Sequence, residues 1–229
     1  MRARYARSRN PEPEPIPLDG SATITSIRAC ADDPARVSLC VNHQRVGRVL
    51  LNTKLELKLE VGTPWTAPLA EALREELDRG NAYRAAVRIL TKRAKSSGEL
   101  RRKLREYRYE SEAIEWSITR LTELGILNDE EYARTVVRSQ LSRKPAGRRL
   151  LAGKLREKGI DQATTDLVLD EMLEDRDTIA DARKLAQQAA RSISDRYERD
   201  IRVRRISGRL ARRGFDFDVI RKVVDELDL

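Results

Sequence analysis

One short sentence is written three times in this chain. GRLARRGFDFDVIRKVVDEL, residues 208–227, is echoed by GKLREKGIDQATTDLVLDEM, residues 153–172, and in a more worn form by RKLREYRYESEAIEWSITRL, residues 102–121. Laid over one another without gaps, Gly208 falls on Gly153, Leu210 on Leu155, Gly214 on Gly159, Asp216 on Asp161 and Asp225-Glu226 on Asp170-Glu171. All three copies share an apolar frame of Leu104, Leu155 and Leu210, then Tyr109, Ile160 and Phe215, then Ile118, Leu169 and Val224, then Leu121, Met172 and Leu227. The copies are 51 and then 55 residues apart. A period in this range is the mark of a tandem array of one supersecondary unit, in which each small core is extended by stacking on its neighbour.

Helix punctuation divides each period into three short helices. They are expected at about 82–95, 97–107 and 110–124, at 129–142, 145–158 and 161–174, and at 177–193, 196–213 and 216–227. Ser96 with Glu99, Asn128 with Glu131 and Asp195 with Glu198 read as capping boxes. Pro145 suits a first helical turn. Gly159 and Gly214 fit the left-handed turn that ends a helix, and Asp161 and Asp216 fit caps of the helix that follows. The first copy has Tyr107-Arg108-Tyr109 where the others have the glycine, which leaves open a tighter or longer turn there.

The N-terminal part differs. Residues 1–21, with four arginines and a PEPEPIP run, read as a disordered tail. Residues 22–61 hold β-leaning runs broken by Asp32-Asp33-Pro34 and Asn42-His43-Gln44, which predicts a small antiparallel sheet of two or three strands. LELKLEV, residues 55–61, reads as a further strand or a lead into a helix. WTAPLAEALREELDRG reads as a helix with Gly80 just past its end. The expected fold is mainly α: an elongated tandem array of three three-helix repeats, 81–128, 129–176 and 177–229, preceded by a small β-sheet plus helix over 22–80.

Charge is organised on the same period. The chain carries a net +9, and residues 81–229 hold 34 basic and 26 acidic side chains against 12 and 11 in residues 1–80. Residues 134–158 hold nine basic and one acidic, and residues 161–182 hold one and eight; the other two repeats alternate in the same order. Repeats stacked in register would align the basic helices into a stripe. Its first unit would supply Arg84, Arg88, Lys92, Arg101, Arg102, Lys103 and Arg105. The second would supply Arg138, Arg143, Lys144, Arg148, Arg149, Lys154, Arg156 and Lys158, and the third Arg202, Arg204, Arg205, Arg209, Arg212 and Arg213. Arginine's planar fork suits phosphate, and carboxylate equally, so the stripe fits DNA or an acidic protein. Pairing of basic with acidic helices inside the fold is the alternative.

Several chemistries find no support. No GxxxxGK[ST] or GxGxxG motif occurs, and His43, the single histidine, sits at a hairpin turn. Cys30 and Cys40 read as reduced thiols in the small sheet, and with one histidine they fall short of a zinc site. No apolar run approaches a membrane span. The aromatics are few: Tyr83, Trp116, Tyr132 and Phe215 fall at core positions, so backbone or shape recognition is expected rather than base readout. The chain is therefore expected to be a cytoplasmic protein without cofactor, metal or catalytic residues.

The stretch ELRRKLREYRYESEAIEWSITRLTELGILNDEEYARTVVRS, residues 99–139, resembles the RecX family of regulators of the recombinase RecA. The likeness lies in Leu121, Glu123, Leu124, Gly125, Leu127, Asp129, Glu130, Tyr132, Ala133 and Arg134, and covers roughly residues 80–229. RRLLAGKLREKGID and RLARRGFDFDVIRKVV are similar to the family's corresponding segments. The resemblance implies a modular helical array, no enzymatic activity and a monomer. It implies binding to the RecA–DNA filament within its groove, with contacts to single- and double-stranded DNA. It also implies modulation, usually inhibition, of the recombinase, ATPase and coprotease activities of RecA in recombination, DNA repair and the SOS response. A general nucleic-acid-binding repeat protein, or a protein-binding scaffold with no DNA role, is the alternative.

Overall fold

The computed structural model describes residues 15–31, 33–194 and 196–227. The tail expected over residues 1–21 lies outside them as far as residue 14, and so does Asp195 of the third expected capping box. Strand β1 already begins at Asp19 (Asp19–Cys30) and is followed by β2 (Asp33–Val41) and β3 (Gln44–Leu50). A short helix α1 (Leu51–Glu56) and a three-residue β4 (Pro64–Thr66) complete an antiparallel sheet of order β3-β2-β1-β4. Asn42 and His43 join β2 to β3 with φ of 46° and 65°. Both values are positive, as a tight two-residue hairpin loop requires.

Helix α2 (Ala67–Lys92) runs through residue 80, where the sequence suggested a stop. Gly80 is there for another reason. A Cβ at Gly80 would lie 3.1 Å from the Arg48 carbonyl oxygen, so glycine lets the helix approach β3. The next residue, Asn81, donates through Nδ2 to the Val46 carbonyl at 2.8 Å. Leu73 and Leu77 of α2 close a core with Ile24, Leu39, Val41, Val49 and Trp65 of the sheet module. The boundary expected at residues 80–81 therefore falls inside a continuous helix.

The remaining helices are α3 (Ser97–Glu106), α4 (Ser111–Glu123), α5 (Asp129–Leu141), α6 (Arg148–Glu157), α7 (Gln162–Leu173), α8 (Thr178–Ser192), α9 (Arg199–Arg212) and α10 (Phe217–Asp225). Helices α5–α7 and α8–α10 are the second and third repeats, and each encloses its own core. Leu155, Ile160 and Leu169 are buried in one, and Leu210, Phe215 and Val224 in the other. The first repeat comprises the end of α2 with α3 and α4. By packing, the chain divides into two compact units: residues up to Arg88 with Leu104–Ser117, and Ile89–Lys103 with Ile118–Leu229.

Each basic second helix ends in the same turn. Arg108, Gly159 and Gly214 adopt φ of 61°, 75° and 80°. The amides of Tyr109, Ile160 and Phe215 donate to the carbonyls of Leu104, Leu155 and Leu210 at 3.3, 3.1 and 3.3 Å. Arginine in the first copy thus changes neither the length nor the form of the turn. The reason glycine is kept in the other two lies outside the turn. Gly159 presses on Gly98, whose added Cβ would lie 2.7 Å from Gly159 Cα. Gly214 presses on Gly147, whose added Cβ would lie 2.6 Å from the Phe215 nitrogen. Arg108 is exposed and meets only the demand on φ.

These glycine contacts splice the basic helices tail to head. The amides of Gly147 and Arg149, at the start of α6, donate to the carbonyls of Arg213 and Gly214, at the end of α9, at 2.9 and 3.2 Å. The open donors of one helix satisfy the open acceptors of the other, and the negative end of one dipole meets the positive end of the next. At the start of α3 a hydroxyl stands between the two ends. Ser96 Oγ donates to the Lys158 carbonyl and accepts from the Glu99 amide (3.0 Å).

Caps agree with the sequence in most places. Asn128 accepts from Glu131 and Asp161 from Thr164, and Asp177, which the sequence did not mark as a cap, accepts from Ala180. Two expectations are corrected. Asp216 occupies the cap position of α10 without a side-chain hydrogen bond. Pro145 precedes α6 rather than lying in its first turn, because Gly147 must cap that helix against α9.

Gly147→Ala is expected to lower the unfolding free energy by about 1–3 kcal/mol through overpacking of the splice. Gly153→Ala, in the same helix with no heavy atom within 4 Å of the added Cβ, is expected to raise it by up to about 1 kcal/mol. Urea denaturation of the two variants measures both signs.

Candidate nucleic-acid interface

The predicted cations divide according to what the fold does with them. Some hold the repeats together. Arg213 donates through Nε to the Pro145 carbonyl at 2.8 Å and through Nη2 to the Lys144 carbonyl at 2.9 Å, tying the α5–α6 loop to the end of α9. Lys158 Nζ reaches Glu99 Oε1 at 3.1 Å across the α6–α3 junction. Arg148 is gripped by Asp170 at 2.5 Å and Asp166 at 3.0 Å of α7. Hydrogen bonds from Arg148 to both carboxylates hold its guanidinium above the usual range. Lys154 pairs with Glu157 at 2.8 Å.

The acidic third helices thus neutralise part of the basic charge of their own repeats. The second and third repeats each show a related pair, whose arginine the sequence did not place in the stripe. Arg134, six residues past the Asn128 cap, donates to Glu171 at 2.8 Å. Arg183, six residues past the Asp177 cap, donates to Glu226 at 2.7 Å. Glu171 and Glu226 are the equivalent acidic residues of the repeated sentence, so the same position anchors a first-to-third-helix clamp in both repeats.

Other predicted cations face solvent. Lys92, Arg102, Arg138, Arg143, Lys144, Arg149, Arg156, Arg204 and Arg212 are exposed, and no carboxylate partners them among the described residues. Arg209 donates to Ser192 Oγ at 3.1 Å and Arg205 lies 3.8 Å over the Tyr197 ring. Lys103, Arg101 and Arg202 are half-buried and engaged within the chain. In the other unit Arg88 and Arg105 are exposed, while Arg84 is half-buried and bonded to Asn81 at 3.3 Å.

The densest free cluster is on α9. Ile206 and Leu210 bury one side of the helix. The opposite side repeats Ile201, Arg204, Arg205, Gly208, Arg209 and Arg212 at helical spacing, and with Ile193 it lines a groove of about 730 Å³ that contains no carboxylate. Gly208 leaves the floor of the groove open between the arginines. Tyr197, which supports Arg205 from the preceding loop, had no signal in the sequence because it lies outside the repeated frame.

The aromatics at core positions take different roles. Phe215 is buried, and Tyr83 meets Trp116 edge-on at 6.0 Å between ring centres. Tyr132 instead works at the α6–α3 junction, donating its hydroxyl to Glu99 Oε2 at 2.8 Å. Burial, reinforced by Glu99, pushes the Tyr132 phenol up to about 12. Burial works to raise the Glu99 carboxyl, but hydrogen bonds from Tyr132 and Lys158 and the charge of Lys95 bring it below its ordinary value. Ser97 Oγ and amide both donate to Asp129 beside them.

Among the described residues no cluster of His, Cys, Asp and Glu could hold a metal ion, and no helix is long and apolar enough to cross a membrane. Cys30 and Cys40 are free thiols on the sheet.

A tandem of three-helix units with spliced, cation-bearing second helices defines a helical-repeat protein. Its matches place it more closely. The family models of the first, second and third three-helix domains of RecX match residues 82–121, 128–169 and 175–224. The chain belongs to the RecX family. It is 32% identical over 139 residues to the regulatory protein RecX of Pelodictyon phaeoclathratiforme, covering 61% of this chain and 84% of that one. It is 34% identical over 158 residues to that of Corynebacterium efficiens, covering 66% and 75%. A crystal structure of a regulatory protein RecX matches 90% of this chain and 100% of its own with a TM-score of 0.67 at 22% identity, which shows the fold. The RecX crystal structure from Lactobacillus salivarius matches 66% and 97% with a TM-score of 0.58 at 27% identity.

The junction at Glu99 carries a pH signature. The raised Tyr132 phenol contributes stability that is complete below pH 10 and lost as pH rises toward about 12. The lowered Glu99 carboxyl contributes stability present above its unfolded value and lost as pH falls through its folded value, below 4.5. Tyr132→Phe is expected to remove the alkaline loss, so that the urea midpoints of parent and variant, apart at pH 7, draw together above pH 10 and converge only toward pH about 12.

Proposed function

We propose that this protein is a non-enzymatic regulator that binds the RecA–DNA filament and restrains RecA-dependent ATP hydrolysis, strand exchange and coprotease activity. The single observation that carries this reading is the carboxylate-free arginine groove of α9, on a helix whose end is spliced to the next basic helix of the array. Exposed arginines recur along that series, Arg149 and Arg156 on α6 and Arg102 on α3, so a partner with regularly repeated negative charge is matched better than a single acidic patch. A nucleoprotein filament presents such a series. Membership of the RecX family supports the choice of RecA, as the relatives are named regulatory proteins RecX. Contacts to single- and double-stranded DNA by the exposed arginines, a monomeric state and a cytoplasmic location belong to the same reading.

Arg148, Lys154, Lys158 and Arg213, held within the chain, are left out of the proposed contact surface, as are the half-buried and engaged Arg101, Lys103 and Arg202. The proposed contacts are instead Arg102, Arg149, Arg156, Arg204, Arg205, Arg209 and Arg212.

Titration of the protein into RecA-dependent ATP hydrolysis and strand exchange at substoichiometric levels tests the reading. Arg204→Glu with Arg212→Glu is expected to raise the concentration for half-inhibition at least about tenfold and to flatten its salt dependence, as loss of about two phosphate contacts requires. Unchanged inhibition by that variant removes the α9 groove from the interface. Equal affinity for bare DNA and for the filament would instead favour a general nucleic-acid-binding protein, and salt-insensitive binding to RecA alone would favour a scaffold.

A further inference from the structure

The sheet module lies outside all three matched family domains, and its outward face is built with unusual regularity. Register sets two rows of side chains across three strands. Arg28 of β1 stands opposite Ser38 of β2, which stands opposite Arg48 of β3. Beside this row Ser26 stands opposite Cys40, which stands opposite Arg45. Bulges in β1 near Ile24–Ser26 and in β2–β3 near Leu39–Cys40 keep both rows on the face away from the Ile24–Leu39–Val49 core. The two rows, with His43 at the hairpin tip, line a depression of about 720 Å³ that contains no acidic residue and no tryptophan, tyrosine or phenylalanine.

The positive charge extends past the sheet onto α2. Burial lowers the pKa of the Arg84 guanidinium, and the nearby charges of Arg45, Arg48 and Arg88 lower it further. Such mutual effects require these groups to be close. Arg28, Arg45, Arg84 and Arg88 have no carboxylate partner among the described residues. Arg36, on the same strand as Ser38, is by contrast neutralised by Asp33 at 3.3 Å and Glu76 at 3.6 Å. Arg28, Arg45, Arg84 and Arg88 thus place like charge on this face with no carboxylate partner among the described residues, and an anionic ligand would relieve their repulsion.

We propose that this face is a second nucleic-acid site, which grips the phosphodiester backbone of one single strand. Arg28 and Arg48 flank the middle strand at roughly 10 Å, twice the interstrand spacing, a width suited to one backbone. The exposed Arg28 and Arg45 supply paired donors for phosphate oxygens, and Ser26 and Ser38 supply hydroxyls between them. With no aromatic surface for stacking, recognition is of the backbone and is indifferent to base sequence. An acidic peptide would satisfy the same arginines, but the floor of the depression holds no large apolar side chain to anchor one, and regular rows of donors match a regularly charged strand.

The site is tested on the full-length protein by fluorescence anisotropy with a labelled oligothymidylate, across salt from about 50 to 200 mM. Arg28→Glu with Arg45→Glu, both exposed strand residues, is expected to weaken binding at least about tenfold and to reduce the salt slope by about 1.4, two contacts at about 0.7 each. Arg28→Lys with Arg45→Lys is expected to keep the slope, and circular dichroism with a melting curve checks that both variants remain folded. Unchanged affinity and slope in the folded glutamate variant overturns the proposal. So does competition by polyglutamate as effective as that of an oligonucleotide of equal charge. Inhibition of RecA by the Arg204→Glu, Arg212→Glu variant reads the helical surface separately, so either site can fail while the other stands.

Discussion

The joint between the end of one basic helix and the start of the next governs the rest of this array. A helix terminus leaves four donors or acceptors open, and burying them unpaired is expensive. Here the open carbonyls of α9 and the open amides of α6 are spent on each other, through Arg213, Gly214, Gly147 and Arg149. That solution works only if the backbones touch, which is why glycine stands on both sides of the contact. The α6–α3 joint reaches the same end with Ser96 as an intermediary and Gly98 making room. Register between repeats is thus fixed by main-chain geometry rather than by the fit of large apolar side chains.

This arrangement also sorts the charges. Cations are favoured near helix C-termini and acids near N-termini, and α6 and α9 carry Lys154, Arg156, Arg209 and Arg212 in their last turns. Part of the charge rhythm therefore needs no partner to explain it. A second part is consumed by clamps: Arg134 to Glu171, Arg183 to Glu226 and Arg148 to Asp166 and Asp170. What neither cause accounts for is the remainder, above all Arg204 and Arg205 in the middle of α9, beyond the reach of the charge at either helix end. Charge that neither the helix ends nor a neighbouring carboxylate explains is the charge left for an external anion.

The repeats were legible because their apolar frame and turn residues are set by local rules. Leu155, Ile160 and Leu169 are buried where the pattern put them, and so are Leu210, Phe215 and Val224. Errors arose where a residue answered to a distant neighbour. Gly80 looked like a helix stop but makes room for the Arg48 carbonyl, and Pro145 looked like a helix start but presents its carbonyl to Arg213. The Tyr107-Arg108-Tyr109 departure proved to be the same turn, relieved of a packing demand the other copies bear. Charge counting found the basic helices but could not separate Arg148, which is clamped, from Arg149 beside it, which is exposed. Adjacent residues on a helix point about 100° apart, and only the fold decides which one meets a carboxylate.

A surface that binds a long polyanion need not read its sequence, but it must keep its cations available. Full neutralisation by the acidic helices would add little stability, since exposed pairs contribute little, and would compete with every phosphate. The clamps avoid this by spending arginines near the seams between helices, where they fix one element against another. The α9 groove, by contrast, faces away from Ile206 and Leu210 and meets no acidic helix. The sheet module follows the same division: Arg36 is neutralised where it helps to seat α2 against β2 through Glu76, and Arg28 and Arg45 are left without a carboxylate partner among the described residues. In both places the acids sit where packing needs them, and the remaining positive charge stays exposed to an external strand.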